Sequence, residues 1–312
     1  MGGEGTPRTE CAFRASTLGC ANGNVPGRVG WSKVIVVPDI QPETPWCSLI
    51  TVTYNSARAL EEFWGRGASI PPGVEWIVVD NGSTDGSPEI AERAGATRVI
   101  RLSDNRGFGA ANNQGLTVAR GGFIGFVNPD IRVDFDDLAR LAEVATREQA
   151  VVAPQLLNAD GTVQPNGRGF PFLADKIRNR LGQESKLAGR YLLYADAEEP
   201  RHVCWLMGAA VFGNRADIEA FGAWDPHFFL YYEDKDFCLR AWRAGIPVAL
   251  VPDARWVHGW ARETATWRAT PWLRELASMA KFYARYPEFL GPRRLAARKH
   301  GDVHRRVYEG AS

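Results

Sequence analysis

Residues 75–87 read EWIVVDNGSTDGS, an apolar run that ends in an acid and leads into a glycine-containing turn. β-Branched residues fill positions 77–79, which is typical of a buried strand, and Gly82 suits the turn that follows. A helix is predicted at about 87–94. This unit of strand, turn and helix is the pattern from which the first half of the chain is built.

The same alternation of strand and helix occurs four times before residue 150. Such alternation predicts an α/β fold with a parallel sheet, right-handed crossovers and ligands beyond the carboxyl ends of the strands. The predicted elements are strands at 48–54, 75–79, 97–102 and 123–127, and helices at about 57–66, 87–94, 110–120 and 135–147.

The second half of the chain has a less regular pattern, and residues 158–200 are the least regular of all. An apolar run at 203–212 and two short strands, 248–251 and 255–258, are predicted there. A helix that Asn214 caps and a second helix at about 234–244 separate these strands.

Four regions follow from this pattern. Residues 1–45 are rich in Gly, Pro, Thr and Asn and predict a flexible arm. Residues 46–150 form the regular half of one α/β domain, and residues 151–262 form its less regular second half. Residues 263–312 form a helical tail with a basic end.

Composition excludes several classes of protein. The 312 residues carry 37 basic and 36 acidic side chains, and a net charge of +1 gives no general attraction for nucleic acid. Five cysteines without a C-x-x-C pair favour a reducing, cytoplasmic compartment over a disulfide scaffold. No apolar run has the length of a membrane span, so we expect a soluble or peripheral protein.

Three polar motifs follow predicted strands or precede helices in the first half. Asp80 can accept hydrogen bonds from a base or ribose, and the alternative is a plain turn. The loop 105–109 (NRGFG) can turn backbone N–H groups and Arg106 toward phosphates, although such loops are more often simple connections. Asn128-Pro129-Asp130 can hold a hard divalent cation, and a proline-containing turn is the alternative.

Two further motifs lie in the second half. Glu233-Asp234-Lys235-Asp236 follows an aromatic run and opens a helix, so a carboxylate there can take a proton from a sugar hydroxyl or merely complement the helix dipole. His258 ends an apolar strand and can be a core histidine or a cation ligand.

Together these motifs resemble the GT-A glycosyltransferases of family 2, in particular their bacterial rhamnosyltransferase-like branch, over about residues 48–260. The combination is far more specific than any one motif. The residues that carry the resemblance are Thr53-Tyr54-Asn55, Asp80 to Ser87, Asn105 to Asn113, Asn128-Pro129-Asp130, Gly208-Ala209-Ala210 and Phe228 to Arg240.

The resemblance implies inverting transfer from a nucleoside diphosphate sugar, with residues 46–150 as the nucleotide-sugar half of the domain and residues 151–262 as its acceptor-side, catalytic half. Asp234 would be the general base, with Glu233 as its rival, and Asp80 would contact the nucleotide base. Asp130 and His258 would hold Mn²⁺ or Mg²⁺, although Asn128 replaces the first acid of the usual metal motif. The whole implied donor site is Thr53, Tyr54, Asn55, Asp80, Asn81, Gly82, Asn105, Arg106, Gly107, Asn112, Asn128, Gly208 and Ala209.

We expect a deoxyhexose such as L-rhamnose as the sugar, and a glycan, a lipid-linked molecule or a small molecule as the acceptor. A UDP-hexose donor, a sugar-phosphate nucleotidyltransferase and a non-catalytic nucleotide-sugar-binding protein are the alternatives. A nucleotidyltransferase would require a basic, glycine-rich loop after the first strand, where this chain has residues 54–57 (YNSA). The basic tail predicts a solvated helix face or, alternatively, peripheral contact with the inner face of the cell membrane.

Overall fold

The structure is a computed structural model that describes residues 44–65, 69–195, 199–259 and 269–310. The predicted flexible arm, apart from its last two residues, lies outside the described residues. The strands are β1 Cys47–Thr53, β2 Val74–Asp80, β3 Arg98–Arg101, β4 Phe123–Val127, β5 Ile131–Arg132, β6 Val151–Leu157, β7 Gly167–Arg168, β8 Leu192–Leu193, β9 Arg201–His202, β10 Trp205–Leu206, β11 Ala210–Asn214 and β12 Val248–His258.

Ten α-helices lie between and after these strands in the described residues. Short 3₁₀ turns occupy Glu184–Lys186 and Pro287–Phe289, and a π-helical turn occupies Arg305–Glu309. The helices are α1 Ala57–Phe63, α2 Ser87–Arg93, α3 Phe108–Val118, α4 Asp137–Glu148, α5 Leu173–Arg180, α6 Arg215–Ala220, α7 Glu233–Arg243, α8 Ala269–Arg285, α9 Arg293–Lys299 and α10 Gly301–His304.

A mostly parallel central sheet confirms the predicted α/β fold. The strand order is β3-β2-β1-β4-β11-β6-β12-β5, with β9 beside β12. β1 runs parallel to β2 and β4, and β12 runs parallel to β6, whereas β11 is antiparallel to β4 and β6. The antiparallel insertion matters for the site, because it places Ala210, where β11 begins, beside Val127, where β4 ends.

Both faces of the sheet are covered, which explains why its strands are continuously apolar rather than alternating. Ile77 and Val79 belong to one buried cluster, whereas Trp76 and Val78 on the other face belong to a second. The indole of Trp76 is stacked on that of Trp64, with ring centroids 4.1 Å apart, so α1 is held against the sheet.

The second half differs from the prediction in three details. The apolar run 203–212 forms two strands, β10 and β11, which pair with different sheets. The two short strands predicted at 248–258 are one strand with an irregular register between Val251 and Arg255. Residues 158–200 contribute β7 and β8, which join β10 in a small antiparallel sheet.

The C-terminal helices are tied to the sheet domain by buried acids. Asp236 on α7 accepts hydrogen bonds from Arg285 of α8 (2.8 Å) and from Tyr286 (2.9 Å). Asp175 on α5 is fully buried and pairs with Arg190 and with Arg293 of α9. The basic tail is therefore engaged in part by acids of its own chain.

Three cysteines, Cys47, Cys204 and Cys238, are buried free thiols in the described part of the chain, while Cys11 and Cys20 lie outside it. Burial raises the pKa of each of the three thiols. Of the helices that the structure describes, none combines the length and apolar character needed to cross a membrane.

Candidate functional site

The carboxyl ends of β1 and β2 form the first part of the site. Thr53 and Asp80 are register partners, and the Thr53 hydroxyl donates to Asp80 Oδ1 over 2.8 Å. Asp80 Oδ2 accepts from the backbone N–H of Ser83 over 2.9 Å, and Asp80 is almost fully buried. Each carboxylate oxygen of Asp80 keeps a second lone pair that can accept a hydrogen bond from a ligand. The two hydrogen bonds from Thr53 and Ser83 already hold the carboxylate in place.

Tyr54 and Asn55 continue this edge. Asn55 adopts a left-handed conformation with φ of 51°, and its Oδ1 accepts from the backbone N–H of Thr84 over 2.9 Å. The Asn55 N–H in turn donates to the Ser83 hydroxyl. Tyr54 is 45% exposed, so its ring is accessible where the predicted donor site lies.

Asn81 joins this edge to the glycine-rich loop 105–109. Its Nδ2 donates to the Gly107 carbonyl over 3.2 Å, and its Oδ1 accepts from the Arg106 N–H over 2.9 Å. Gly107 has a φ of 89° and lies against the Phe229 carbonyl, where a side chain would clash. The loop is thus fixed from both sides, while half of the Arg106 side chain remains exposed.

Two predicted asparagines make contacts within this loop and its helix. Asn105 Oδ1 accepts from the Gly107 N–H, and the buried Asn112 donates to the Phe108 carbonyl one turn earlier. The structure thus gives both side chains local partners that shape the loop.

Asn128 directly contacts the segment Gly208-Ala209-Ala210, which forms the floor of the proposed site. Its backbone N–H donates to the Ala209 carbonyl over 2.8 Å, at the junction of β4 with β11. The next residue of the floor, Gly208, lies close to Asp234: a Cβ built on Gly208 would be 3.5 Å from the Asp234 Cβ. Gly208 and Ala209 therefore connect the strand end before Asp130 to the acid pair on α7.

The acid pair follows a strained turn. Tyr231 and Tyr232 both have positive φ values, 68° and 70°, in a region that costs a non-glycine residue of order 1 kcal/mol or more. The strained turn leads directly into α7, which begins at Glu233, followed by Asp234.

Glu233 and Asp234 have different surroundings. Glu233 is buried, and its Oε2 has no hydrogen-bond partner within the described chain. Burial, and then the charge of Asp234, raise the pKa of Glu233 to about 8, so it is mostly protonated at neutral pH. Asp234 is 17% exposed and lies 3.2 Å from Lys235 Nζ, so it is the better candidate for a base at neutral pH.

Two lysines lie over the ring of Tyr232, the residue before this acid pair, and the sequence motifs had identified neither as functional. Lys235 Nζ lies 3.8 Å from the ring centroid of Trp205 and 4.7 Å from that of Tyr232. Lys176 Nζ lies 4.1 Å from the same Tyr232 ring and pairs with Glu275. Burial, and then the charge of Lys235, lower the pKa of Lys176 to about 8.

Asp130 and His258 are brought together where the end of β12 pairs with β5, because His258 is the register partner of Ile131. His258 Nε2 lies 3.5 Å from Asp130 Oδ2, and the Gly259 N–H donates to the Asp130 carbonyl. His258 Nδ1 lies 2.9 Å from Oε1 of Gln164, a residue that no sequence motif indicates.

The metal prediction can be tested against these contacts. Among the residues that the structure describes, no group of three or more His, Cys, Asp or Glu side chains is arranged to hold a metal ion. Asp130 and His258 nevertheless form a nitrogen and oxygen pair of the kind that Mn²⁺ accepts, and remaining ligands can come from a diphosphate and water. The pair fits a cation that arrives with its nucleotide.

Comparisons with known proteins bear on the family and the fold. A family model for glycosyl transferase family 2 matches residues 48–195. The N-acetylglucosaminyl-diphospho-decaprenol L-rhamnosyltransferase of Mycobacterium tuberculosis is 27% identical over 237 residues, which cover 69% of this chain and 76% of that protein. The rhamnosyltransferase WbbL of Escherichia coli is 27% identical over 49% of this chain and 60% of its own length.

A solved structure shares the fold. The mannosyltransferase PcManGT from Pyrobaculum calidifontis, in complex with GDP-Man and Mn²⁺, superposes with a TM-score of 0.55 at 18% identity, covering 88% of this chain and 73% of that one. The fold that carries Asp80, Asp130 and the acid pair on α7 is thus a GT-A fold. Residues 48–195 of this chain thus match glycosyl transferase family 2, and the rhamnosyltransferase relatives support the same family.

Proposed function

We propose that the chain transfers a sugar, with inversion, from a nucleoside diphosphate sugar to a hydroxyl of an acceptor. The observation that carries this proposal is the contact of Asp234 with Gly208, whose neighbour Ala209 binds the strand end that leads to Asp130. The names of two relatives favour L-rhamnose or another deoxyhexose as the sugar. A UDP-hexose is the alternative donor.

In the proposed reaction Asp234 takes the proton of the acceptor hydroxyl. The acceptor oxygen forms a bond to the anomeric carbon from the face opposite the diphosphate, the bond from that carbon to the diphosphate oxygen breaks, and the nucleoside diphosphate leaves. Glu233, mostly protonated at neutral pH, is a poor base and serves as a neutral neighbour of Asp234.

Asp130 and His258 would hold a divalent cation against the diphosphate. The cation supplies Lewis-acid stabilisation of the charge that develops on the leaving group. Asp80, Tyr54 and Asn55 would bind the nucleoside, because the exposed Tyr54 ring and the fixed Asp80 carboxylate lie at one strand edge.

We further propose that the acceptor carries a diphosphate. Lys176 and Lys235 place two ammonium groups over the Tyr232 ring, and Lys235 also lies 3.2 Å from Asp234. Two cations at that position suit an anionic group next to the reacting hydroxyl, and the mycobacterial relative is named for a diphospho-decaprenol substrate. A lipid-linked acceptor would place the enzyme at the cytoplasmic face of the membrane, where the exposed Arg294 and Arg298 could contact anionic lipid.

A binding panel tests the donor proposal. Thermal unfolding of the full chain is measured with UDP, dTDP, GDP, UDP-glucose and dTDP-rhamnose, each with and without Mn²⁺, because a ligand that binds only the native state raises its stability. We expect one base to give a shift that Mn²⁺ increases. The absence of any shift across the panel would count against a donor site.

A further inference from the structure

Gln164 makes a set of hydrogen bonds that bears on which ring nitrogen of His258 carries the proton. Gln164 is completely buried, and its Oε1 lies 2.9 Å from His258 Nδ1. Its Nε2 lies 3.1 Å from the backbone carbonyl of the same histidine and 2.7 Å from Oδ1 of Asn158. One amide thus contacts both the ring and the backbone of His258.

The orientation of this amide follows from chemistry. A backbone carbonyl can only accept a hydrogen bond, so the Gln164 atom beside the His258 carbonyl must be the nitrogen. The oxygen must then be the atom that faces His258 Nδ1. Because an amide oxygen can only accept, Nδ1 must carry the proton.

A second layer of contacts supports this orientation. Asn158 Nδ2 donates to the Thr162 hydroxyl over 2.8 Å, and that hydroxyl donates to Asp160 Oδ1 over 2.6 Å. A carboxylate can only accept, so the direction of each hydrogen bond in this series, from Gln164 to Asp160, is defined. The Asn158 oxygen is left to accept from Gln164 Nε2.

We propose that Gln164 is a positioning residue that holds His258 with its proton on Nδ1 and its Nε2 lone pair toward Asp130. In neutral His258, that lone pair and Asp130 Oδ2, two acceptors 3.5 Å apart, then face each other, an arrangement that a shared cation stabilises. The proposal rests on the proposed function for the cation, but the tautomer itself does not depend on it.

The tautomer can be measured in the unaltered protein. The full chain is labelled with ¹⁵N-histidine and studied by NMR without metal at about pH 8.5, where an ordinary imidazole is neutral, with His258→Gln to assign the signals. We expect a protonated Nδ1 and an unprotonated Nε2 on His258. A neutral ring with its proton on Nε2 would overturn the proposal.

Metal affinity gives a second, separate readout. Mn²⁺ binding is followed by electron paramagnetic resonance with UDP or dTDP present, comparing the parent chain with Gln164→Leu. We expect about tenfold to hundredfold weaker binding in the variant, the usual effect of losing a partner that orients a metal ligand. Equal affinity in the two proteins would refute the positioning role.

A matched control separates positioning from general loosening of the fold. Gln155 is also buried and hydrogen-bonded, through Nε2 to the Gln164 carbonyl and through Oε1 to the Ala195 N–H, and no hydrogen bond joins its side chain to His258 in the described chain. Gln155→Leu should therefore weaken Mn²⁺ binding much less than Gln164→Leu, and an equal loss would refute the specific role. If the parent chain binds no Mn²⁺, the proposed cation site fails, and the NMR result still decides the role of Gln164.

Discussion

Asp234 and Asp236 lie two residues apart in the first turn of α7, but they contact different parts of the molecule. Asp236 is completely buried and binds Arg240, Arg285 and Tyr286. Asp234 is partly exposed and lies against Gly208 at the floor of the site. One acid holds the C-terminal helices in place, and the other is available for chemistry.

Asp234→Asn should lower turnover by at least about a hundredfold, the usual cost of losing a general base, while donor binding is kept. Turnover and nucleotide affinity are measured on the same preparation. Asp236→Asn is the matched control, because it removes the buried charge that pairs with Arg240 and Arg285 and should therefore lower the melting temperature. Full turnover in Asp234→Asn would remove Asp234 from the role of base.

Glu233→Gln should change how stability depends on pH. The folded chain holds the Glu233 proton up to about pH 8, whereas the unfolded chain releases it near 4.5, so Glu233 costs stability progressively as pH rises between these values. The variant has no such proton. Denaturant titrations measure the free energy of unfolding of variant and parent at each pH. The difference, variant minus parent, should be larger at pH 9 than at pH 4 by at least about 1 kcal/mol. A difference that does not vary with pH would show that Glu233 titrates normally.

Asp130→Ala should weaken the binding of a nucleoside diphosphate when Mn²⁺ is present and change it little when Mn²⁺ is absent. Asp130 is the acid that faces His258 Nε2, so its loss removes one of the two proposed protein ligands. Isothermal titration with and without metal measures the effect. Equal nucleotide affinity with and without Mn²⁺ in the parent chain would contradict the cation site.

Gly208→Ala should fold normally and lose activity. The added Cβ would lie 3.5 Å from the nearest atoms of Asp234 and Trp224, which is ordinary van der Waals contact, so the melting temperature should change little. The methyl group would nevertheless occupy space in front of the proposed base. We expect a higher KM for the sugar donor or the acceptor, and unchanged kinetics would show that neither substrate approaches Gly208.

Lys176→Gln should raise the KM for an acceptor that carries a diphosphate by about tenfold, since a hydrogen bond to a charged group contributes roughly 1.5–3 kcal/mol. The KM for the same acceptor without the diphosphate should stay constant. Lys281→Gln is the control, because this exposed lysine binds only a backbone carbonyl, that of His227, among the contacts described. An equal change for both acceptors would disprove a diphosphate site.

The first half of the fold could be predicted because its signals are local. The strands predicted at 75–79 and 123–127 were recognised from unbroken apolar runs; the first is one residue longer at each end in the structure, and the second agrees at both ends. The antiparallel insertion of β11 was not predicted, because which strands pair across a sheet depends on contacts distant in sequence. The same holds for the small sheet of β7, β8 and β10.

In the candidate site, too, residues in local motifs could be predicted, whereas residues whose role depends on distant contacts could not. Asp130, Asp234 and Gly208 lie in recognisable motifs, and the structure places Gly208 against Asp234 and Asp130 beside His258. Gln164 has no sequence signal, because a single glutamine in an irregular stretch looks like any polar loop residue. Its importance arises only from a contact 94 residues along the chain. Roles for these residues stay predictions until the variants above are measured.

The attachment of the last helices has a practical consequence for anyone who shortens this protein. Tyr308 accepts a hydrogen bond from the Phe170 N–H and donates to the Arg190 carbonyl, and Val307 is buried. Removing the tail at residue 262 would take away Phe282 and Phe289, uncover the Phe172 ring that packs against Phe289, and strip Asp236 of its α8 partner. A recombinant fragment intended for crystallisation or screening should therefore extend at least through residue 308, even though the family match ends at 195.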